Sequence, residues 1–247
     1  MDFHIIIPAR LDSTRLARKA LVDLGGRPMI LRTLDKALES GAASVTVATD
    51  SGEIADVVDA AGGQVLMTDP GHRSGTDRLA EAAVQLGLEA AATVVNLQGD
   101  EPAMPAACLR QVAGLLAADE RADMATLWQP LADEAQWRDP NVVKLVADRN
   151  GRALYFSRAP IPWPRDGGWP VETACRHVGL YAYRVCALRA WAELPASALE
   201  QLESLEQLRA LDAGWRVVAD RACAPIPVGI DTAADLARFR AALTGQA

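Results

Sequence analysis

The first half of the chain alternates between strand-like and helix-like segments, and this alternation constrains the fold more than any other feature. Short β-branched runs are separated by longer segments that have helical apolar spacing and begin or end at Gly or Pro. The predicted strands cover 4–8, 44–49, 64–67, 93–97 and 124–128, and the predicted helices cover 28–41, 53–61, 76–86 and 106–117. This order predicts an α/β fold with a doubly wound, mostly parallel sheet and helices on both faces.

The pattern changes after residue 130. Two β-runs at 142–147 and 152–156 flank Arg149-Asn150-Gly151, which is a hairpin signal. We interpret this region, with a strand at 177–183, as an antiparallel extension of the main sheet. Leucines at every third position predict a helix over 199–211 that is packed on more than one face. The remaining predicted elements are short strands at 217–218 and 226–230 and a last helix from 232 to about 243.

Composition limits the possible partners. The 25 basic residues against 32 acidic ones give a net charge of −7, which argues against a nucleic-acid-binding protein. No apolar run reaches the length of a membrane helix, and the first residues carry no basic region typical of a signal peptide. We expect a soluble cytoplasmic protein that binds neither nucleic acid nor membrane.

The cysteines and histidines do not indicate a metal centre. The four cysteines (108, 175, 186 and 223) contain no C-x-x-C pair, and the three histidines are scattered. We therefore expect the cysteines to be small buried apolar residues, and we predict no disulfide.

Basic and hydroxyl side chains follow the first predicted strand, from Pro8 to Lys19. Arg10, Arg15, Lys19 and Ser13 would suit a polyphosphate, because charge-assisted hydrogen bonds to phosphate are strong. The loop matches neither the Walker motif nor the dinucleotide motif. A solvated basic loop is the alternative interpretation.

Three further polar segments lie next to predicted strand or helix ends. Asp100 follows the strand at 93–97 and could bind Mg²⁺, or it could be a turn residue. Asp231 ends another strand, although Thr232 and Asp235 after it also read as a helix-capping pair. The segment 73–78 suits recognition of a base or phosphate at a helix start, or is an ordinary capped helix.

Taken in chain order, nine blocks resemble one family over essentially the whole chain. They include I-P-A-R-x-x-S-T-R-L-x-x-K at 7–19, S-G-T-D-R at 74–78, N-L-Q-G-D-E-P at 96–102, R-H-V-G-L-Y-A-Y-R at 176–184 and G-I-D-T at 229–232. The sequence is similar to the 3-deoxy-manno-octulosonate (Kdo) cytidylyltransferase family, also called CMP-Kdo synthetases.

The resemblance implies a nucleotide-diphospho-sugar transferase-like fold and a reaction between CTP and Kdo that gives CMP-Kdo and pyrophosphate for lipopolysaccharide synthesis. It implies Mg²⁺ held by Asp100 and Asp231, which together with Arg10 and Lys19 form the catalytic set. The nucleotide-binding residues implied are Pro8, Ala9, Arg10, Ser13, Arg15, Lys19, Arg73, Ser74, Thr76 and Gln98. The sugar-binding residues implied are Gln98, Arg158, His177, Tyr181, Glu206 and Gln207.

The sequence has no repeats or obvious linker, so we expect a single domain over 1–247, and the resemblance implies a homodimer. About 1–130 and 216–247 would form the nucleotide-binding core, and about 131–215 the sugar-binding and dimerisation extension. We suggest the hairpin at 142–156 and the Trp-rich segment at 160–170 as the dimer contact. Alternatives are a cytidylyltransferase for an 8-amino Kdo analogue or a sialic acid, and a non-catalytic nucleotide-binding relative. A glycosyltransferase is disfavoured, because Asp100-Glu101-Pro102 is not a D-x-D motif.

Three departures from the family pattern are visible. Ala17-Arg18 and Ala20 stand where Pro-Gly and Pro are common, and Ala233 replaces the usual Pro. The segment between Trp163 and Arg176 is short, which bears on the sugar preference. None of these changes removes an implied metal or phosphate ligand.

Overall fold

The structure is a computed structural model that describes residues 2–11, 16–72 and 74–243. Its strands are β1 His4–Ala9, β2 Ser44–Thr49, β3 Gln64–Met67, β4 Thr93–Asn96, β5 Met124–Pro130, β6 Lys144–Ala147, β7 Ala153–Ser157, β8 Cys175–Arg184 and β9 Val217–Arg221. Its α-helices are α1 Met29–Leu38, α2 Gly52–Ala60, α3 Gly75–Gln85, α4 Ala106–Ala118, α5 Glu134–Arg138, α6 Val185–Trp191, α7 Ala198–Glu203, α8 Gln207–Asp212 and α9 Ala233–Leu243. A short 3-10 helix covers Lys19–Leu21.

The main sheet has the strand order β3-β2-β1-β4-β8-β5-β9. Strands β3, β2, β1 and β4 run parallel, and β9 runs parallel to β5. The helices between the parallel strands are the crossover connections that such pairing requires. The predicted doubly wound α/β fold is confirmed.

The second half of the chain adds the antiparallel part. Strand β8 lies between β4 and β5 and is antiparallel to both, and the β6–β7 hairpin joins the sheet through pairing of β6 with β8. The hairpin turn has Gly151 at φ +77°, a left-handed conformation that favours glycine. The predicted hairpin is therefore confirmed, and β8 connects the extension directly to the centre of the sheet.

The hydrophobic core lies on both faces of the sheet. On β1, Ile5 and Ile7 pack into the cluster that contains Ile30 of α1 and Leu109 of α4. Ile6 points to the opposite cluster, which contains residues of α3, α6 and α8. Burial on both faces explains why the parallel strands read as continuous apolar runs rather than as alternating ones.

Two predicted elements are wrong. The helix predicted over 199–211 is split into α7 and α8, because Ser204 adopts a left-handed conformation with φ 51°. A three-residue leucine spacing drifts around a helix, and Leu202 is consequently 83% exposed instead of packed. The segment 226–230 forms no regular strand, and the patterns did not indicate α5 or α6.

The expectation of buried cysteines holds for Cys108 alone among the four. Cys175 is partly buried, whereas Cys186 and Cys223 are exposed, and all four are free thiols. The proposed internal division into core and extension stays a prediction.

Candidate active site

The candidate site lies at the carboxyl edge of the parallel strands, where β1, β2 and β4 end. Pro8 and Ala9 are the last residues of β1. Gly99, three residues after the end of β4, lies close to both of them. A Cβ atom at Gly99 would lie 3.2 Å from the Pro8 carbonyl oxygen, so this position favours glycine. Open α/β sheets bind ligands at this edge.

Lys19 joins the two predicted metal-binding aspartates. Its Nζ lies 2.5 Å from Asp100 Oδ2 and 2.5 Å from Asp231 Oδ1. Burial opposes the charge on the ammonium, yet the two carboxylates outweigh burial and raise the pKa of Lys19 above its ordinary value. Residues far apart in sequence are thus combined into one compact charged cluster, the Lys19–Asp100–Asp231 triad.

The backbone around Asp231 explains how it reaches Asp100. The Ile230 N–H donates to the Asp100 carbonyl oxygen over 3.0 Å. At Gly229, a Cβ would lie only 2.8 Å from Glu101 Oε1, so only glycine fits there without a shift. The two aspartates therefore stand side by side because two loops are in direct backbone contact.

The helix-capping interpretation of this segment is also confirmed. The Thr232 N–H donates to Asp235 Oδ2 over 2.8 Å, and the Asp235 N–H donates to Thr232 Oγ1 over 3.2 Å. This reciprocal pair is a capping box at the start of α9. Asp235 serves the helix, which leaves the Asp231 side chain directed to Lys19.

Lys19 enters the site through an unusual backbone conformation. Arg18 has φ 52°, in the left-handed region, directly before the 3-10 helix. A left-handed conformation favours glycine, and the resemblance places Gly at this position in the family. In this chain the Arg18 side chain pairs with Glu53, and both side chains are exposed.

Two charged residues beside the triad were not singled out by sequence reasoning. Burial and the adjacent negative charge of Asp100 raise the pKa of Glu101 to about 8. Burial lowers the pKa of Arg176, and the nearby Glu101 carboxyl opposes that shift. The Arg176 guanidinium donates to Gln129 Oε1 over 2.5 Å and to the Ile226 carbonyl over 3.0 Å. In the sequence, the two consecutive acidic residues Asp100 and Glu101 in N-L-Q-G-D-E-P could have indicated Glu101 as a site residue.

A cavity of about 430 Å³ opens beside the ends of β1 and β2. It is lined by Arg10, Leu11, Asp50, Ser51, Pro70, His72 and Arg78. Arg78 is buried and donates to Asp50 Oδ2 over 2.6 Å, and it also contacts Thr68. Arg78 belongs to the S-G-T-D-R block and Asp50 to a V-A-T-D block at 47–50, but sequence reasoning did not assign either residue to the site. The predicted residues Ser13, Arg15 and Arg73 lie outside the described residues.

The start of α3 connects the predicted nucleotide and sugar residues. Ser74 caps the helix by accepting from the Asp77 N–H over 3.1 Å, and a Cβ at Gly75 would contact Pro8 and approach Gln98. Gln98 itself donates to Asn96 Oδ1 over 3.3 Å. The buried Thr76 hydroxyl donates to Glu206 Oε2 over 3.1 Å.

His177 and Tyr181 share one face of β8, as their four-residue spacing predicts, and a register shift of β8 against β5 between them brings the two rings together. Their ring centroids are 5.4 Å apart. Burial lowers the pKa of His177 to about 3, with the charge of Arg176 as a second cause, and burial raises the pKa of Tyr181. Both rings are therefore uncharged near neutral pH.

The His177 ring has a buried hydrogen-bond partner, the hydroxyl of Thr126. Its Nε2 lies 3.0 Å from Thr126 Oγ1, and the Thr126 hydroxyl also contacts the carbonyl oxygens of Val178 and Leu180. The single hydrogen of the Thr126 hydroxyl thus has three possible acceptors, and the contact with Nε2 fits either neutral tautomer of His177.

The remaining sugar-side predictions fall on the helix pair α7 and α8. Glu206 precedes α8 and Gln207 begins it. Burial raises the pKa of Glu206, although the hydrogen bond from Thr76 opposes this shift.

Arg158 is bound to backbone carbonyl oxygens. Its guanidinium donates to carbonyl oxygens of Glu203 (2.6 Å), Pro140 (2.9 Å) and Ser204 (3.3 Å).

The described residues offer a two-carboxylate site for a cation. Within 2–11, 16–72 and 74–243, no group of three or more His, Cys, Asp or Glu side chains is arranged to hold a metal ion. Mg²⁺ prefers one or two carboxylates and takes its other ligands from phosphate and water. The oxygen ligands of Asp100 and Asp231 fit that ion.

Comparison with known proteins places the chain in a family. The cytidylyltransferase family model matches residues 4–218. A 3-deoxy-manno-octulosonate cytidylyltransferase from Cellvibrio japonicus is 48% identical over 98% of each chain, and one from Polynucleobacter necessarius is 49% identical over 97% of this chain and 94% of its own. The chain belongs to the 3-deoxy-manno-octulosonate cytidylyltransferase family.

The fold agrees with this family. A solved structure of CMP:2-keto-3-deoxy-manno-octonic acid synthetase in complex with CTP superposes with a TM-score of 0.91, at 39% identity and full coverage of both chains. As a member of the 3-deoxy-manno-octulosonate cytidylyltransferase family, the protein is a nucleotidyltransferase. Among the helices in the described part of the chain, none is long and apolar enough to cross a membrane.

Proposed function

We propose that the protein transfers CMP from CTP to the anomeric hydroxyl of Kdo, in a Mg²⁺-dependent reaction that releases pyrophosphate. The product would serve lipopolysaccharide synthesis in the cytoplasm, where CTP is available. The observation that carries this proposal is the Lys19–Asp100–Asp231 triad at the carboxyl edge of the sheet. The names of the relatives support the choice of CTP and Kdo.

In this proposal, Asp100 and Asp231 hold the metal, and the basic side chains bind the triphosphate. Bound Mg²⁺ supplies neutralisation of phosphate charge and assistance in ionising the sugar hydroxyl. Arg10 at the cavity and Lys19 in the triad place two positive charges at the end of β1. Arg78 is buried against Asp50 and so shapes the cavity wall.

The chemistry needs alignment and charge neutralisation more than a covalent intermediate. The anomeric oxygen forms a bond to the α-phosphorus, the bond from that phosphorus to the pyrophosphate oxygen breaks, and the hydroxyl proton is lost. No nucleophilic side chain of the protein is required.

Two members of the sugar site in this proposal, His177 and Tyr181, are uncharged buried groups, and Arg158 supplies a positive charge for the Kdo carboxylate. Neutral His177 and Tyr181 suit hydrogen bonds to sugar hydroxyls, since neither ring brings a charge to the pocket. The Thr76–Glu206 hydrogen bond connects the proposed sugar site to α3, the helix that carries the predicted nucleotide-binding residue Thr76. Gln207, also buried, begins the adjoining helix.

We also propose a homodimer that uses the β6–β7 hairpin and the Trp-rich segment. Leu154 in β7 is 55% exposed and Trp163 is 63% exposed, so both apolar side chains are accessible to a partner chain. Light scattering on the purified protein, which measures the mass in solution, would give the mass of two chains.

The substrate proposal is tested by pyrophosphate release with Mg²⁺, each nucleoside triphosphate in turn, and Kdo, its 8-amino analogue or a sialic acid as acceptor. We expect release with CTP and Kdo and little with other pairs. Release with CTP and another acid would keep the nucleotide assignment and overturn the sugar assignment. No release with any pair would overturn the enzymatic proposal.

A further inference from the structure

Two cysteines that lie far apart in sequence approach each other on one side of α4. Cys108 is in the first turn of α4, and Cys223 follows β9. Their Sγ atoms are 3.8 Å apart. A disulfide bond is about 2 Å long, so the two sulfurs must move together by only about 2 Å.

We propose that Cys108 and Cys223 form an intrachain oxidation site, which closes to a disulfide when the protein meets a hydroperoxide such as hydrogen peroxide. The site lies outside the groups assigned to the transfer reaction. The inference goes beyond the proposed function and does not depend on it.

The two thiols differ in a way that assigns their roles. Cys223 is exposed and can be reached by an oxidant, whereas Cys108 is fully buried beneath it. Burial raises the pKa of the Cys108 thiol, which keeps this sulfur protonated until a partner activates it. Cys223 is therefore the residue that reacts first with the peroxide, and Cys108 is the resolving cysteine, which attacks the resulting sulfenic acid.

The atoms balance with one molecule of peroxide. The Cys223 sulfur attacks one peroxide oxygen, the O–O bond breaks, and sulfenic acid and water form. The Cys108 sulfur then attacks the Cys223 sulfur, displaces its oxygen as a second water and loses its own proton. Both sulfurs are oxidised, and both peroxide oxygens are reduced to water.

The surrounding contacts hold the two segments in position for this step. The Cys223 N–H donates to Gln111 Oε1 over 2.8 Å, and Gln111 lies one turn after Cys108 on α4. The Cys108 Sγ also lies 3.8 Å from the Ala224 carbonyl oxygen. The segment is thus already packed on the helix, and closure needs local adjustment rather than unfolding.

The bond would constrain the segments that lead to the two aspartates of the triad. Cys108 follows Asp100 by eight residues, and Cys223 precedes Asp231 by eight. A disulfide here closes a long loop, and cross-links across long loops raise stability most in the chain-entropy model. We expect the oxidised protein to unfold at a higher urea concentration than the reduced protein.

The experiment is to treat the wild-type protein with hydrogen peroxide, block free thiols and digest with trypsin. Cleavage after Arg and Lys puts the four cysteines in four different peptides, with Cys108 in 79–110 and Cys223 in 222–238. We expect these two peptides to appear as one linked species in mass spectrometry, and the linked protein to have the raised urea midpoint.

Matched variants separate this pair from the other thiols. Cys175→Ser together with Cys186→Ser should keep both the link and the raised midpoint, whereas Cys223→Ser should lose both. The proposal is overturned if oxidised wild-type protein carries Cys223 as free thiol or sulfinic acid without the link. A link through Cys175 or Cys186, or between two chains, would overturn it as well.

Discussion

At the residue scale, Lys19 shows the largest difference between the contact predicted from the sequence and the contact in the structure. Its place among basic residues predicted contact with phosphate, and the structure shows it between two carboxylates. If Mg²⁺ binds Asp100 and Asp231 as proposed, it would replace the Lys19 ammonium, which could then contact phosphate. In that proposal, Lys19 and Mg²⁺ compete for the same carboxylate oxygens when CTP is absent.

This competition makes a prediction for Lys19→Met. Removal of the ammonium leaves the two carboxylates without their counter-charge, so Mg²⁺ alone should raise the unfolding temperature of the variant more than that of the wild type. Pyrophosphate release should fall by about 100-fold or more, because a charge aimed at the phosphates is lost. Thermal unfolding with and without Mg²⁺ measures the first effect.

Lys36→Met is the matched control. Lys36 pairs with Glu39 on the surface, away from the triad. It should leave both the Mg²⁺ response and the activity unchanged. An equal Mg²⁺ response in wild type and Lys19→Met would contradict the idea that lysine and metal share the carboxylates.

His177 makes a prediction about pH. Its folded pKa of about 3 lies below its ordinary value of 6.5, so the unfolded chain takes up a proton that the native protein does not. This residue's contribution to stability should therefore fall as pH decreases from about 6.5 towards about 3. The ring resonances of His177, followed by NMR and assigned with His4→Gln and His72→Gln, should stay unchanged between pH 8 and 5. A midpoint near 6.5 would show that the ring is solvated instead of buried.

At the element scale, local pattern predicted the parallel half well and the helix pair α7–α8 poorly. Strands β2 and β3 match their predicted ranges, because β2 is a β-branched run, β3 is a short apolar run, and turn residues bound both. The break at Ser204 was missed because it depends on a left-handed residue that is not Gly. The order of apolar and polar residues over 198–212 does not indicate a turn of this kind.

The contact between the two aspartate-bearing loops gives an element-scale prediction. Gly229→Ala would place a methyl group 2.8 Å from Glu101 Oε1 and 3.3 Å from the Asp100 carbonyl oxygen. The Glu101 carboxyl or the backbone beside Asp100 must then shift, which should cost up to about 1–3 kcal/mol of stability, as overpacking usually does, and should lower activity. Urea unfolding and pyrophosphate release measure the two effects.

Gly114→Ala is the control for this change. Gly114 lies inside α4, and a Cβ there would meet no atom within 4 Å. Alanine should stabilise the helix by up to about 1 kcal/mol and leave activity unaltered. If Gly229→Ala behaved in the same way, the close contact between the loops would not matter for the site.

At the scale of the whole molecule, the sheet explains which parts of the site were predictable. Pro8 lies at the end of β1, and Gln98 and Asp100 follow the neighbouring strand β4, so their proximity could be predicted from strand order alone. The Lys19 bridge, the Thr76–Glu206 bond and the Arg78–Asp50 pair could not, because each joins side chains across separate elements. Arg158 shows the same limit, since its bonds to backbone carbonyls depend on where α7 ends.

The most direct test of the account follows the transfer itself by phosphorus NMR, with CTP, Kdo and Mg²⁺, in the wild type and in Asp100→Asn. The account predicts that the wild type converts CTP into a CMP diester and pyrophosphate only when Kdo is present. Asp100→Asn should fold normally and form the diester at least about 100-fold more slowly, because a metal carboxylate is lost. Diester formation by Asp100→Asn at the wild-type rate, or wild-type CTP breakdown to free CMP without Kdo, would contradict the account.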